Sequence, residues 1–256
     1  MNTPTVQNFF EKKAKTGEWK GLYDLDNPSS YPFVIRLKKT IEMLDDKIDG
    51  KNLCDLGCGT GALIPFVTQS NAQYTGIDFS EEMLSKIRNN ESLISNKIKL
   101  RHMDFNDANI EEKYDILVGL GFIEYFEDPN KIIKKCYNIM DKEGVILLSF
   151  PNRLCLDFLL IRLLTFARLL LKKIFKVGRD NPKRKMWSYN EALKLFNYGE
   201  FEIVSVKNYY TNILVYPFTM LFPKLAFKIA NLVEKTFLNK LRFLNGGFLV
   251  LARKKK

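Results

Sequence analysis

Apolar and polar positions change their period repeatedly along this chain, and the changes mark its elements. Asn52–Leu56, Gln73–Ile77 and Lys97–Arg101 are short runs of strand length, the last alternating Ile98 and Leu100 with basic residues. Tyr114–Leu120 is almost continuously apolar, as expected of a central parallel strand, and Val145–Phe150 is a fifth run of the same kind. Between these runs the apolar spacing becomes helical. Thr60–Gln69, with Pro65 in its opening turns, predicts a helix straight after a glycine turn. Another begins after Ser80, a cap followed by Glu81 and Glu82, and another runs from Pro129 to Met140. Lys142-Glu143-Gly144 is expected to turn the chain into the fifth strand. Strands alternating with helices predict an α/β fold built on a doubly wound, mostly parallel sheet.

Both flanks of this region differ from it. Asn8–Lys15 and Phe33–Leu44 are expected helices, separated by a loop holding Trp19, Tyr23, Pro28 and Tyr31. After Pro151 the chain is apolar and basic through residue 176, then polar from Gly178 to Lys185. Tyr189–Tyr198 is an amphipathic helix between Ser188 and Gly199, and Phe201–Tyr210 alternates as a strand. Residues 213–244 form a second apolar, basic stretch with prolines at 217 and 223; Gly246-Gly247 then leads into a last strand, Phe248–Arg253. This divides the chain into a helical cap (1–48), a core (49–150), a first insertion (151–187), and a return to the sheet (188–256) carrying the second insertion.

Composition refines this plan. With 256 residues, 46% of them hydrophobic, the chain can bury a sizeable core. The net charge of +11 is concentrated. Residues 151–187 hold ten Lys/Arg against two Asp, and residues 213–256 hold nine against one Glu, leaving the remainder mildly acidic. In the first insertion the charged and polar positions Asp157, Arg162, Thr165, Arg168, Lys172, Lys173 and Lys176 step mostly by three or four, along one side of a helix. Charges within such a run each cost roughly 2.5–3.5 kcal/mol at mid-bilayer, so a helix lying in the membrane interface is expected rather than a span. A lid over an acceptor pocket or a dimer interface would use the same residues. Lys183-Arg184-Lys185 beside Trp187 admits a nucleic-acid surface, but such a surface needs no wide Leu/Phe face. Four cysteines without paired spacing and a single histidine argue against a metal site and a disulfide framework. The first 30 residues lack a signal-peptide pattern, and a cytoplasmic, peripherally membrane-associated protein is expected.

The chemistry is concentrated in Leu53-Cys54-Asp55-Leu56-Gly57-Cys58-Gly59-Thr60-Gly61. A buried strand ends in an acid and then three glycines two apart, where the backbone turns and bare amides can meet a ligand. Gly57-x-Gly59-x-x-Ala62, with Asp78 further on, also satisfies a dinucleotide fingerprint. Asp55 tips the balance. A carboxylate two residues before the first glycine would repel a pyrophosphate, whereas it would attract the amino group of a methionine moiety.

The block resembles motif I of the class I S-adenosylmethionine-dependent methyltransferases, and the resemblance extends over roughly residues 50–150. Tyr74 to Ser80 with Glu81-Glu82-Met83-Leu84, His102-Met103-Asp104-Phe105, and Tyr114 to Val118 with Ile123-Glu124-Tyr125 are similar to the later motifs of that family. The resemblance implies a seven-stranded Rossmann-like sheet whose last strand is antiparallel, here with helical insertions, and S-adenosylmethionine as cofactor. It implies that Asp55, Gly57, Gly59 and Gly61 hold the methionine end, Asp78 the ribose, and Phe79, Met83, Asp104 and Phe105 the adenine, with Leu120 at the junction with the acceptor. Tyr125 stands where quinone and porphyrin O-methylating relatives often carry His or Tyr, and is the expected catalytic residue, orienting a hydroxyl acceptor. The expected acceptor is a hydrophobic or lipid-linked small molecule. A soluble enzyme with a helical lid and a cofactor-binding subunit without turnover are the other readings.

Overall fold

A computed structural model describes residues 3–16, 23, 30–156, 158–160, 162, 184–213 and 221–255. Seven strands form one sheet in the order β3-β2-β1-β4-β5-β7-β6: β1 Asn52–Leu56, β2 Gln73–Asp78, β3 Ile98–His102, β4 Tyr114–Gly119, β5 Met140–Pro151, β6 Phe201–Thr211 and β7 Asn245–Lys254. The first five run parallel, and β7 pairs antiparallel with both β5 and β6. The expected antiparallel last strand is therefore present, wedged between β5 and β6.

The helices are α1 Thr3–Thr16, α2 Tyr31–Leu44, α3 Ile64–Thr68, α4 Glu81–Arg88, α5 Pro129–Ile139, α6 Tyr189–Tyr198 and α7 Pro223–Glu234. Their starts are chemically marked. Ser80 Oγ accepts from the Met83 amide, and Asp128 Oδ1 accepts from Asn130 and Lys131 ahead of Pro129. At α6, Ser188 and Glu191 cap each other reciprocally. Alternate strand residues feed two cores. Leu56, Leu117, Phe150 and Phe248 pack with α5 and α6 on one face; Leu53, Tyr74, Val118 and Leu249 pack with α2, α3 and α7 on the other. Each such side chain is worth roughly 1.5–3 kcal/mol of burial.

Two expected elements change. The helix read from Thr60 begins only at Ile64, because Gly61 takes φ +77° and the chain closes two tight turns first, Gly61 N–H to Cys58 O and Ile64 N–H to Gly61 O. The five-residue helix that results presents no long dipole to a ligand. The turn expected at Lys142–Gly144 lies inside β5. The β4–β5 pairing jumps from Tyr114↔Met140 to Ile116↔Val145, so the extra residues bulge while the strand continues. The helix expected over 153–176 falls mostly outside the described residues, as do Trp19 and Pro28. Trp187 is core: it is buried edge-on against Phe150, with its amide donating to Pro151 O.

Candidate functional site

The carboxyl ends of β1, β2, β3 and β4 open together into a cavity of about 480 Å³, at the place where ligands bind in open α/β sheets. Its floor is Gly57, Cys58, Gly59, Asp78 and Phe79; one side is Met103, Asp104 and Phe105; the other is Leu120, Gly121 and Phe122. Across the top lie Val6, Phe9 and Phe10 of α1 and Phe33 and Arg36 of α2. The N-terminal helices thus shape the cavity rather than merely packing beneath the sheet.

The glycine turn is tied to the end of β2. Gly57 and Cys58 amides both donate to Ile77 O, at 2.8 and 3.1 Å, and the Gly59 amide donates to Asp78 Oδ2 at 2.8 Å. Asp78 Oδ1 accepts from the Ser80 amide at 2.9 Å. Burial raises the Asp78 carboxyl above its ordinary range, opposed by these amides and by His102. Gly59 sits at φ +53°, and a Cβ there would meet nothing within 4 Å, so bare backbone faces open space. An adenosyl amino acid fits this half of the cavity. It offers a buried carboxylate with lone pairs to spare for hydroxyls, apolar slabs at Phe79, Met83 and Phe105, and a turn free of side chains.

Of the residues expected from the sequence, Gly57, Gly59, Asp78, Phe79, Met83, Asp104, Phe105, Leu120 and Tyr125 line the cavity. Asp55 and Gly61 do not. Asp55 lies behind the turn, buried, and accepts the Tyr74 hydroxyl at 2.9 Å; burial pushes its carboxyl up to about 7, against the pull of that hydrogen bond. A Cβ on Gly61 would come within 2.6 Å of Ile64 Cδ1, so that glycine serves the packing beneath. Asp104 Oδ1 caps its own loop by accepting from the Asn106 amide. His102 turns away, its Nε2 at 3.0 Å from Phe79 O and its Nδ1 at 3.6 Å from Glu81. Tyr125 meets Phe10 edge-on at 5.3 Å, and burial, then Glu124, push its hydroxyl up to about 12.

Besides Lys13 of α1, three charged lining residues were not among the expected set: Arg36, Glu124 and Arg184. They come from α2, from the one-turn 3-10 helix Ile123–Tyr125, and from the segment before α6. The Lys185 amide donates to Glu124 O at 2.8 Å and so brings the last segment in. Charges that meet across 60 to 150 residues leave no local pattern, and Arg36 shares its half-apolar helix with Lys38, Lys39 and Glu42.

A methyltransferase-domain family model matches residues 47–210. The ubiquinone biosynthesis O-methyltransferase of Glaesserella parasuis serovar 5 is 27% identical over 219 residues, covering 79% of this chain and 86% of that one. Its counterpart in Bordetella avium is 29% identical over 115 residues, 44% of this chain and 48% of that protein, so here the chain spans about half of its relative. Among solved structures, magnesium protoporphyrin IX methyltransferase from Synechocystis PCC 6803 with bound SAH superimposes at a TM-score of 0.68 with 18% identity, over 99% of this chain and 100% of that one. The 1,6-didemethyltoxoflavin-N1-methyltransferase of Burkholderia thailandensis does so at 0.59 with 9% identity, over 99% and 88%. At such identities these structures speak for the fold.

Proposed function

The chain belongs to the methyltransferase-domain family whose pattern spans residues 47–210, and on that premise we propose that it methylates a hydroxyl of a hydrophobic small molecule, with S-adenosylmethionine as donor. The observation that carries the reading is the bare Gly59 backbone facing the cavity beside Asp78, whose two oxygens are fixed by amides. Bound S-adenosylmethionine supplies a methyl group already activated on a positively charged sulfur. The protein's task is then alignment and the exclusion of water. Asp78 accepts two ribose hydroxyls, Phe79, Met83 and Phe105 sandwich the adenine, and Asp104 accepts its exocyclic amine. The amides about Gly57 and Gly59 face the methionine end, with Asp55 acting from behind through the turn. Leu120 and Gly121 floor the junction, and Tyr125 orients the acceptor.

The walls above that junction, Phe9, Phe10, Phe33, Phe122 and Phe126, are aromatic and suit an apolar acceptor. The O-methyltransferases of ubiquinone biosynthesis among its relatives support the choice of oxygen and of a lipophilic acceptor. The second insertion supports access from a lipid surface. Leu232 and Phe237 are 70% and 72% exposed, with Leu221, Phe222 and Leu225 also outward among Lys224, Lys228, Lys235 and Arg242. Apolar side chains edged by cations suit an anionic leaflet, each cation adding about 1 kcal/mol. No helix among the described residues is long and apolar enough to cross a membrane.

The test has two arms. Calorimetry should show binding of S-adenosylhomocysteine and not of NAD; the reverse ends the proposal. Label from methyl-labelled donor should then enter a lipid extract rather than an aqueous one, and label only in the aqueous fraction would leave a soluble acceptor.

A further inference from the structure

Resting on the methyltransferase reading above, we propose that Glu124 is the base that takes the acceptor's hydroxyl proton, and that Arg36 holds a second oxygen of the same acceptor. Glu124 is 4% exposed and lines the cavity, yet its Oε2 has no hydrogen-bond partner. Arg36 lines the same cavity from α2, and its Nε is likewise buried without a partner. The rest of the Arg36 guanidinium is engaged by Tyr23 and Tyr209, and it acts on Glu124 through charge. A buried acceptor and a buried donor left without partners are costly, and natural folds rarely leave them so. Both atoms lie behind the cavity surface, and the two side chains must turn into the cavity to meet a molecule that presents a hydroxyl to Glu124 and a carbonyl, carboxylate or second hydroxyl oxygen to Arg36.

The surroundings favour Glu124 over its neighbour. The charged and titratable groups about it are Arg36, Arg184, Tyr125 next in the chain and Tyr209 of β6, with Tyr23 hydrogen-bonded to Arg36. Burial raises the Glu124 carboxyl above its ordinary range, opposed by a hydrogen bond from its own backbone and then by Arg36 and Arg184, and a raised carboxyl is a better proton acceptor than an ordinary one. Tyr125, pushed up to about 12, stays protonated at neutral pH and can donate or orient but not abstract. Gly121 gives Arg36 its room: a Cβ there would stand 3.2 Å from Arg36 Nη1. In the step itself the acceptor oxygen forms its new bond to the methyl carbon while the carbon–sulfur bond breaks. That electron pair remains on sulfur as a neutral thioether, and the hydroxyl proton moves to Glu124, which later releases it to solvent.

Two probes differing by one oxygen test this, tert-butylcatechol and tert-butylphenol, with the full chain and S-adenosylmethionine. E124Q should lose roughly 100-fold or more in kcat on the catechol and lose the rise of kcat/KM with pH that the wild type shows. It should bind S-adenosylhomocysteine as the wild type does. R36Q should still show a rise of kcat/KM with pH, displaced to higher pH because Arg36 no longer opposes the raised Glu124 carboxyl, but should lose the preference for catechol over phenol, and calorimetry with S-adenosylhomocysteine present should show weaker catechol binding. E124D, shorter but ionisable, should recover the pH dependence, which guards against E124Q failing to fold. An E124Q protein that keeps both rate and pH profile, or an R36Q protein with unchanged preference, overturns the inference. So does wild-type protein that binds S-adenosylhomocysteine yet turns over neither probe. Failure to bind S-adenosylhomocysteine at all would instead bring down the methyltransferase reading.

Discussion

Asp78 Oδ2 accepts the Gly59 amide at 2.8 Å across 19 residues of sequence, so the group expected to hold a ribose also holds the turn expected to hold a methionine. The other oxygen accepts from the Ser80 amide. In Asp78→Asn the new NH₂ must face one of these donors. Loss of about 1–3 kcal/mol of stability is expected, together with a roughly 10- to 100-fold loss of S-adenosylhomocysteine affinity, by melting and calorimetry. Unchanged affinity would remove Asp78 from the site.

Gly59 and Gly61 are two apart in sequence and do different work. Both have positive φ, which for alanine costs roughly 1–2 kcal/mol. An added Cβ at Gly59 enters open cavity space, whereas at Gly61 it drives into Ile64. Gly61→Ala should therefore melt at the lower temperature, and Gly59→Ala should bind S-adenosylhomocysteine more weakly. If both variants lose stability and binding in equal measure, the division is wrong.

Asp55 should make stability depend on pH. Burial pushes its carboxyl up to about 7, above the value of an unfolded chain. The folded state then holds the proton more tightly, so the benefit is fully present below the unfolded value and is lost as pH rises through the folded one. The change amounts to something on the order of 4 kcal/mol. Asn resembles the protonated acid and can still accept from Tyr74. Asp55→Asn should match the wild type at about pH 4 and melt higher at about pH 8, an offset that grows with pH. A constant offset would show that Asp55 does not titrate as described.

Tyr125→Phe removes a hydroxyl that stays protonated at working pH. The shape of the pH–rate profile should not change, and kcat should fall by no more than about 10-fold, the effect of one orienting hydrogen bond. A variant with its basic limb abolished would make Tyr125 the base after all.

Leu232→Ser with Phe237→Ser alters two outward side chains and should leave the melting temperature within a degree or two, as exposed substitutions do. Flotation with phosphatidylglycerol vesicles should fall sharply. Equal flotation of variant and wild type would separate this surface from lipid.

The strands were legible because burial writes itself into short runs: Asn52–Leu56 agrees with β1 at both ends, and Tyr189–Tyr198 with α6. The glycine turn and the acids after β2 and β3 were legible because backbone constraint and charge stand out against apolar neighbours. Less visible was whatever depends on distance. The acid of Asp55 beside the glycines is plain in the sequence, but that it accepts the Tyr74 hydroxyl is seen only once β1 and β2 are paired. Lys142–Gly144 has turn composition, and only the β4 pairing makes it a bulge. The side-chain amides of Asn152, Asn239 and Asn245, which pin residues 237–245 to the strand ends, come from distant parts of the chain and share no pattern at all.

Helix α2 carries Arg36 and Lys39 one turn apart. Arg36 reaches the acceptor end of the cavity, while Lys39 grips Glu234 at the foot of α7 and donates to Asn208 O; Tyr31 adds a ring contact to Phe227 at 4.8 Å. One rigid rod therefore spans from the second insertion to the reaction chamber. Any tilt imposed on α7 from outside must be absorbed by that rod or passed along it, so the chamber's shape is set in part by whatever the insertion leans on.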